Sequence, residues 1–271
     1  YYNTEDLKNL DYRKSFVQAH RHDSPWKNMP HVTTGDSNVA NTIALEHLRS
    51  EADGVIFTLT SATDLTKLLA DIQWPHCSVS FIAEPAFNPD SLALYTKEKG
   101  YHQQELHGAL FREAIPTATT VLAFNKFKEF GLFIPASTPT EEIVLALRKG
   151  VEAIETLERE GLTLNTIFES IAFSVPVSAN FLQEISKLKA LRMLWYQVAR
   201  AYGISSYKPE NLYIHTRAEV WINEKFQPHG NMINSALATM AALAGGCQAH
   251  TAYPENEDDV MMRRIARNHA V

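Results

Sequence analysis

The chain has 271 residues and a formal net charge of −6. That length suits one large α/β domain or two smaller ones, and a hydrophobic fraction of 45% lies far from the disordered range. Mild acidity without a basic run argues against a nucleic-acid partner, and no stretch approaches the roughly 18 apolar residues of a membrane span.

Tyr1 to Lys14 is polar and does not read as a signal peptide. The chain opens without Met, as a fragment or a trimmed chain would. Cys77 and Cys247 both sit in strand-like runs, which predicts two buried free thiols in a reducing compartment such as the cytoplasm. Residues 1–30, rich in aromatic residues and His, read as an N-terminal arm. His20, Arg21, His22 and Asp23 are consecutive and cannot all converge on one metal, so they read as a solvated face.

From Asp36 the pattern is regular. Ser37 or Asn38 can cap a helix running to about Ser50. Gly54–Leu59 is a short apolar run that suits a strand buried on both faces. Ser61 can cap the next helix, with Asp64 in its first turn and Leu65, Leu68, Leu69 and Ile72 as its stripe. Cys77–Ile82 is the next strand. Asp90–Gly100 reads as a helix with a glycine stop, and Leu106–Phe111 as a strand. A helix is expected near Thr119–Phe130 and a strand at Leu132–Ala136.

Thr138-Pro139-Thr140-Glu141 is the clearest helix start, a capping box with proline at the first helical position. Ile143, Leu147, Val151, Ile154 and Leu157 then follow at helical spacing, up to Gly161. Ile171–Val175 is a strand. The helix from Asn180 to Tyr202 has a buried stripe through Leu188, Leu191 and Trp195, and Glu184, Lys187 and Lys189 read as its polar face. Leu212–His215 is a strand, Asn231–Ala244 a helix stopped by Gly245-Gly246, Cys247–Ala252 a strand and Asp258–Ala270 a last helix.

Parallel strands need crossovers, and helices supply them. About seven such units predict an α/β fold, an incomplete β/α barrel of the TIM type over residues 31–271 that is one strand short of eight. The open edge should be filled by residues absent here or covered by something else.

Chemistry in such a barrel sits at the carboxyl ends of the strands. That rule selects Thr60, Ser61, Glu84, Ser137, Ser174, His215, Arg217, Gln248 and His250. His215 and His250 end consecutive strands. A metal there would need Glu84 as a third ligand, but hydrogen bonding within a polar mouth is the preferred reading, so no metal is expected. No phosphate-binding glycine loop and no Gly-x-Ser-x-Gly elbow occurs.

Asn180-Phe181-Leu182-Gln183-Glu184-Ile185-Ser186-Lys187-Leu188 and its continuation to Trp195 resemble the Asn-Phe-x-x-Glu-Ile-x-Lys-Leu helix of methylmalonyl-CoA mutases. His215 and Trp221 sit where that family has His-x-Gln-x-Ser-Gly-Trp. Gly245-Gly246-Cys247-Gln248 with His250-Thr251 resembles its Gly-Gly-Thr-Gln-Ser-Leu-His-Thr, and Arg264–Asn268 its Arg-Ile-Ala-Arg-Asn. The resemblance covers roughly Ile167 to Val271. It implies a barrel that threads coenzyme A along its axis and is capped by adenosylcobalamin.

The lining departs from that pattern. Pro30-His31-Val32-Thr33-Thr34-Gly35 stands in place of Arg-Gln-Tyr-Ala-Gly-Phe. Ile134-Pro135-Ala136-Ser137-Thr138 replaces Ser-Gly-Tyr-His, Ser170 replaces an Arg, and Arg217, Glu219 and Val220 replace Gln, Ser and Gly. No Asp-x-His-x-x-Gly for cobalamin's lower ligand occurs in these 271 residues. The resemblance therefore implies a non-catalytic small subunit paired with a catalytic large subunit, with adenosylcobalamin bound by that partner and no catalytic residue on this chain. Were the mouth live, His215, Arg217, Gln248 and His250 would be the cofactor-binding candidates. The alternatives are a self-sufficient barrel lyase or isomerase using His215, Arg217 and His250 on another acyl substrate, and a pure scaffold module.

Overall fold

The computed structural model describes residues 26–32, 35–102, 105–116, 127–218 and 230–270. Its strands are β1 (Lys27–Asn28), β2 (His31–Val32), β3 (Gly54–Leu59), β4 (Ser78–Ala83), β5 (Gly108–Arg112), β6 (Phe127–Phe133), β7 (Ile171–Pro176), β8 (Tyr213–Ala218) and β9 (Ala249–Ala252). The main helices are α1 (Ser37–Arg49), α2 (Leu65–Leu68), α3 (Asp90–Glu98), α4 (Pro139–Arg159), α5 (Leu164–Ser170), α6 (Phe181–Ala201), α7 (Gly230–Gly245) and α8 (Val260–Asn268).

All nine strands form one parallel sheet in the order β1-β9-β8-β7-β6-β5-β4-β3-β2. The strands expected from the sequence are β3 to β9. The edge expected to stay open is filled from within the chain. Lys27 N donates to Gln248 O and Met29 N to His250 O on one side, while Ile56 N donates to Pro30 O on the other. β1 and β2 are thus two pieces of one segment, broken at Met29-Pro30, and the curled sheet returns on itself. Pro30 offers no N–H, so the ladder must break there. The stretch from Lys27, read as the end of an arm, belongs to the sheet. Most of that arm, with His20–Asp23, lies outside the described residues.

β6 corrects a second expectation. Phe127–Phe130, expected as the end of a helix, is strand, with Phe127 and Phe130 buried. The charged pair Lys128-Glu129 hides the strand pattern. The rest of that expected helix, 119–126, lies outside the described residues.

The helix starts follow local chemistry. Thr138 Oγ1 accepts from Glu141 N, and the Glu141 carboxylate accepts from Thr138 N, which is the expected capping box. Asp36, not Ser37 or Asn38, caps α1 by accepting from Asn38 N and Val39 N. Asp64 is itself the cap of α2, so Ser61 lies outside that helix.

Two apolar clusters fill the space between sheet and helices. One surrounds Trp195, Phe168, Phe173 and Leu188, and the other Trp74, Phe57, Phe81 and Leu68. Each fully buried side chain of this size contributes about 1.5–3 kcal/mol. α4 and α6 approach closely because Gly150 has no side chain: a Cβ there would meet the Trp195 ring at 2.4 Å. A third, smaller cluster of Ile56, Ala109, Phe111 and Ala172 lies inside the curl.

Candidate functional site

Strand alternation decides which polar residues face inward. His31 pairs with Ile56, which belongs to the inner cluster, and His215 pairs with Ser174. His215, Arg217, Ser174 and Thr251 are 0–1% exposed. They form one hydrogen-bonded chain.

Arg217 Nη1 donates to Ser174 Oγ at 2.7 Å, and Nη2 to the Ile134 carbonyl at 2.8 Å. Ser174 is 2.8 Å from His215 Nδ1, and His215 Nε2 is 2.9 Å from Thr251 Oγ1. Thr251 in turn donates to Met29 O at 2.6 Å. Thr251 spends its one proton on Met29 O, so His215 Nε2–H donates to Thr251. In its neutral form His215 then accepts the Ser174 proton at Nδ1. Burial, then the Arg217 charge, holds its pKa well below the usual imidazole range. The imidazole stacks on Phe111 with centroids 5.2 Å apart, and the Arg217 guanidinium sits 3.7 Å above the Phe133 ring.

His250 is not part of this chain. It pairs with Thr216, whose side chain faces the opposite way from those of His215 and Arg217. Its Nδ1 lies 2.8 Å from Thr216 Oγ1, and its Nε2 lies 2.9 Å from Thr239 Oγ1 on α7. Burial pulls its pKa down to about 3. The expectation that both histidines meet in the mouth is corrected: His215 faces inside and His250 faces the helix layer. Among the described residues no three His, Cys, Asp or Glu side chains gather as a metal set.

Gln248 is also displaced from its expected place. It precedes β9 and so lies at the amino end of the sheet. Its Oε1 accepts from Ile214 N at 2.8 Å and from Arg192 Nη2 at 3.0 Å. Arg192 also donates to the carbonyls of Pro209, Leu212 and Gly246. One α6 guanidinium thus ties three connections together, and burial lowers its pKa only to about 10, so it stays charged at neutral pH.

Glu184 and Lys187, expected on a polar face, are 3% and 5% exposed. Lys187 Nζ donates to Glu142 at 2.6 Å and to Pro176 O at 2.7 Å, and it also pairs with Glu184. Glu184 accepts from Ser178 Oγ, and Glu142 from Ser137 N. Ser137 and Ser178 follow β6 and β7, so this network anchors two loops at the carboxyl end of the sheet. Ser137 itself serves the helix start through Glu141. Ser170 ends α5. Glu219, Val220 and Trp221 lie outside the described residues.

His31 is not among the residues that the carboxyl-end rule selects. Its side chain is 7% exposed at the end of β2, with Nε2 2.8 Å from Thr58 Oγ1 and Nδ1 3.4 Å from Glu257 Oε1. Its ring lies 4.9 Å from that of Tyr253. Thr58 also lines a cleft of about 550 Å³ with Thr60, Lys67 and Glu84. Thr60 and Glu84 thus stay at the mouth, as the carboxyl-end rule expects. The sequence signal for His31 is its segment, Pro30–Gly35, which stands in place of Arg-Gln-Tyr-Ala-Gly-Phe.

Residues 135–269 match the family model described as methylmalonyl-CoA mutase. The chain is 26% identical over 99% of its length to the methylmalonyl-CoA mutase small subunit of Porphyromonas gingivalis, covering 50% of that protein. It is 25% identical over 71% of its length to the large subunit from Propionibacterium freudenreichii, covering 31% of it. The chain thus spans half or less of the length of these relatives. A Yersinia pestis dihydropteroate synthase structure overlaps 89% of the chain and 92% of its own at 12% identity, but a TM-score of 0.44 carries no weight for the fold. On the matched segment, the chain belongs to the methylmalonyl-CoA mutase family.

Proposed function

We propose that the curled sheet is a TIM-type barrel kept as a scaffold, and that the chain is the non-catalytic small subunit of an adenosylcobalamin-dependent methylmalonyl-CoA mutase. Its role is to stabilise a catalytic large subunit through a broad interface. The partner carries out the interconversion of methylmalonyl-CoA and succinyl-CoA and binds the cofactor. The free thiols Cys77 and Cys247 suit a reducing compartment, and the cytoplasm is the proposed one.

The observation that carries this reading is the filled interior. An acyl-CoA chain needs an empty axis. Here Arg217, His215, Phe111 and Ile56 are packed inside the curl with 0–1% exposure, and Arg217 is bonded to Ser174 on the neighbouring β7 and to the Ile134 carbonyl just after β6. A pantetheine chain would have to break those bonds and leave a buried cation without them, at several kcal/mol. The residues present do not fit the acyl-CoA.

Co-expression with a candidate large subunit tests the reading. Stable co-purification of the two chains is expected, with cobalamin following the large one. A large subunit that folds and turns over equally well without this chain would overturn it.

A further inference from the structure

We propose that Thr58 is an acyl-accepting hydroxyl, activated by His31 and oriented through Glu257, and that the mouth cleft hydrolyses small activated acyl esters. This hydrolysis is separate from the mutase reaction, for which the chain stays non-catalytic.

The three groups stand in the order that nucleophilic catalysis requires. The Glu257 carboxylate accepts from His31 Nδ1–H at 3.4 Å, a length common where no substrate is bound. That fixes Nε2 as the acceptor, and Thr58 Oγ1–H donates to it at 2.8 Å. The backbone of Glu257 is held in place because its carbonyl accepts from Arg263 Nη1 at 2.7 Å. His31 is further fixed by Tyr253. The nucleophile, the base and the residue that orients the base come from three separate parts of the chain.

Access is the second requirement. Val55, Ile56, Phe57 and Leu59 of β3 are fully buried, whereas Thr58 is only half-buried. Thr58 also lines the cleft of about 550 Å³. That space opens at the carboxyl ends of the strands, where this kind of sheet places chemistry. Lys67 brings a cation to the same wall, paired with Asp64 at 3.1 Å, to face negative charge developing on a carbonyl oxygen. Asp36, Asp64 and Glu84 also line it, so a phosphate-bearing substrate is repelled and a short, uncharged acyl group is favoured.

The step balances without an oxidant or a metal. Thr58 Oγ1 bonds to the acyl carbon while its proton passes to His31 Nε2. The acyl–oxygen bond to the leaving alcohol breaks, and that alcohol takes the proton from Nε2. Water then attacks the Thr58 ester with His31 again as base, releasing the carboxylic acid and restoring the hydroxyl.

Incubation of the full chain with p-nitrophenyl acetate, followed by p-nitrophenolate release and peptide mass mapping, tests this. One acetyl group on Thr58 and an initial burst are expected. Thr58→Val should abolish both, and Thr58→Ser should keep them. His31→Gln should slow the burst by about 100-fold, the usual worth of a general base. Glu257→Gln should slow it by about tenfold while circular dichroism stays unchanged. Acetylation confined to lysines, or a burst that survives in folded Thr58→Val, would overturn the proposal.

Discussion

The Arg217 guanidinium lies over the Phe133 ring at 3.7 Å and donates to Ser174 on the neighbouring strand. It is fully buried. Arg217→Ala should therefore lose packing and hydrogen bonds together, at about 3 kcal/mol. Arg217→Met restores most of the volume and removes the buried charge, so it should recover at least half of that loss. Urea midpoints of the two variants against the parent measure both effects.

Stability should fall steeply in mild acid. Burial lowers the pKa of His47 to about 4 and that of His250 to about 3, and it holds His215 well below 6.5. Folded pKa values below the unfolded value mean that the unfolded chain binds more protons between them. Stability is thus fully present above about pH 6.5 and is lost as pH falls towards 4. Three such groups give a slope of about 4 kcal/mol per pH unit. His250→Gln should reduce that slope by about a third, read from urea titrations at stepped pH.

Sequence periodicity disclosed β3 to β5 and β7 to β9 because each is a short apolar run bounded by turn residues. It missed the segment Lys27–Val32, where two short ladders are split by Pro30 and no apolar pattern accumulates. It misplaced β6 because Lys128 and Glu129 interrupt the run. Glu184 and Lys187 looked solvent-facing because the ion pair of Lys187 with Glu142, 45 residues away, leaves no local trace. His215 and His250 seemed to converge because strand register, which sends them to opposite faces, is not written in either strand alone. The His31–Thr58–Glu257 group was invisible for the same reason: His31 and Glu257 are 226 residues apart.

The seam between the first and last strands yields a direct expectation. The amides of Lys27, Met29 and Ile56 are bonded across it. In native-state hydrogen exchange they should be protected nearly as well as those of β7 and β8. Asn28→Ala removes the Nδ2 bond to Arg267 O at 2.7 Å and should cost about 1–2 kcal/mol while exposing the same amides first.

Lys187→Met strands two carboxylates in a buried place, at about 3–5 kcal/mol. Glu142 already has its pKa raised by burial, against the pull of Lys187. Combining Lys187→Met with Glu142→Leu and Glu184→Leu removes all three charges and should recover most of the loss. Thermal and urea unfolding of the single and triple variants separate the two cases.

A scaffolding role is tested most directly by titrating the purified chain alone with adenosylcobalamin and methylmalonyl-CoA, following the visible spectrum and the heat of binding. A packed interior predicts no spectral change and no binding heat, with both appearing only when the large subunit is present. Binding of either ligand by the chain alone at or below about 1 μM would contradict it.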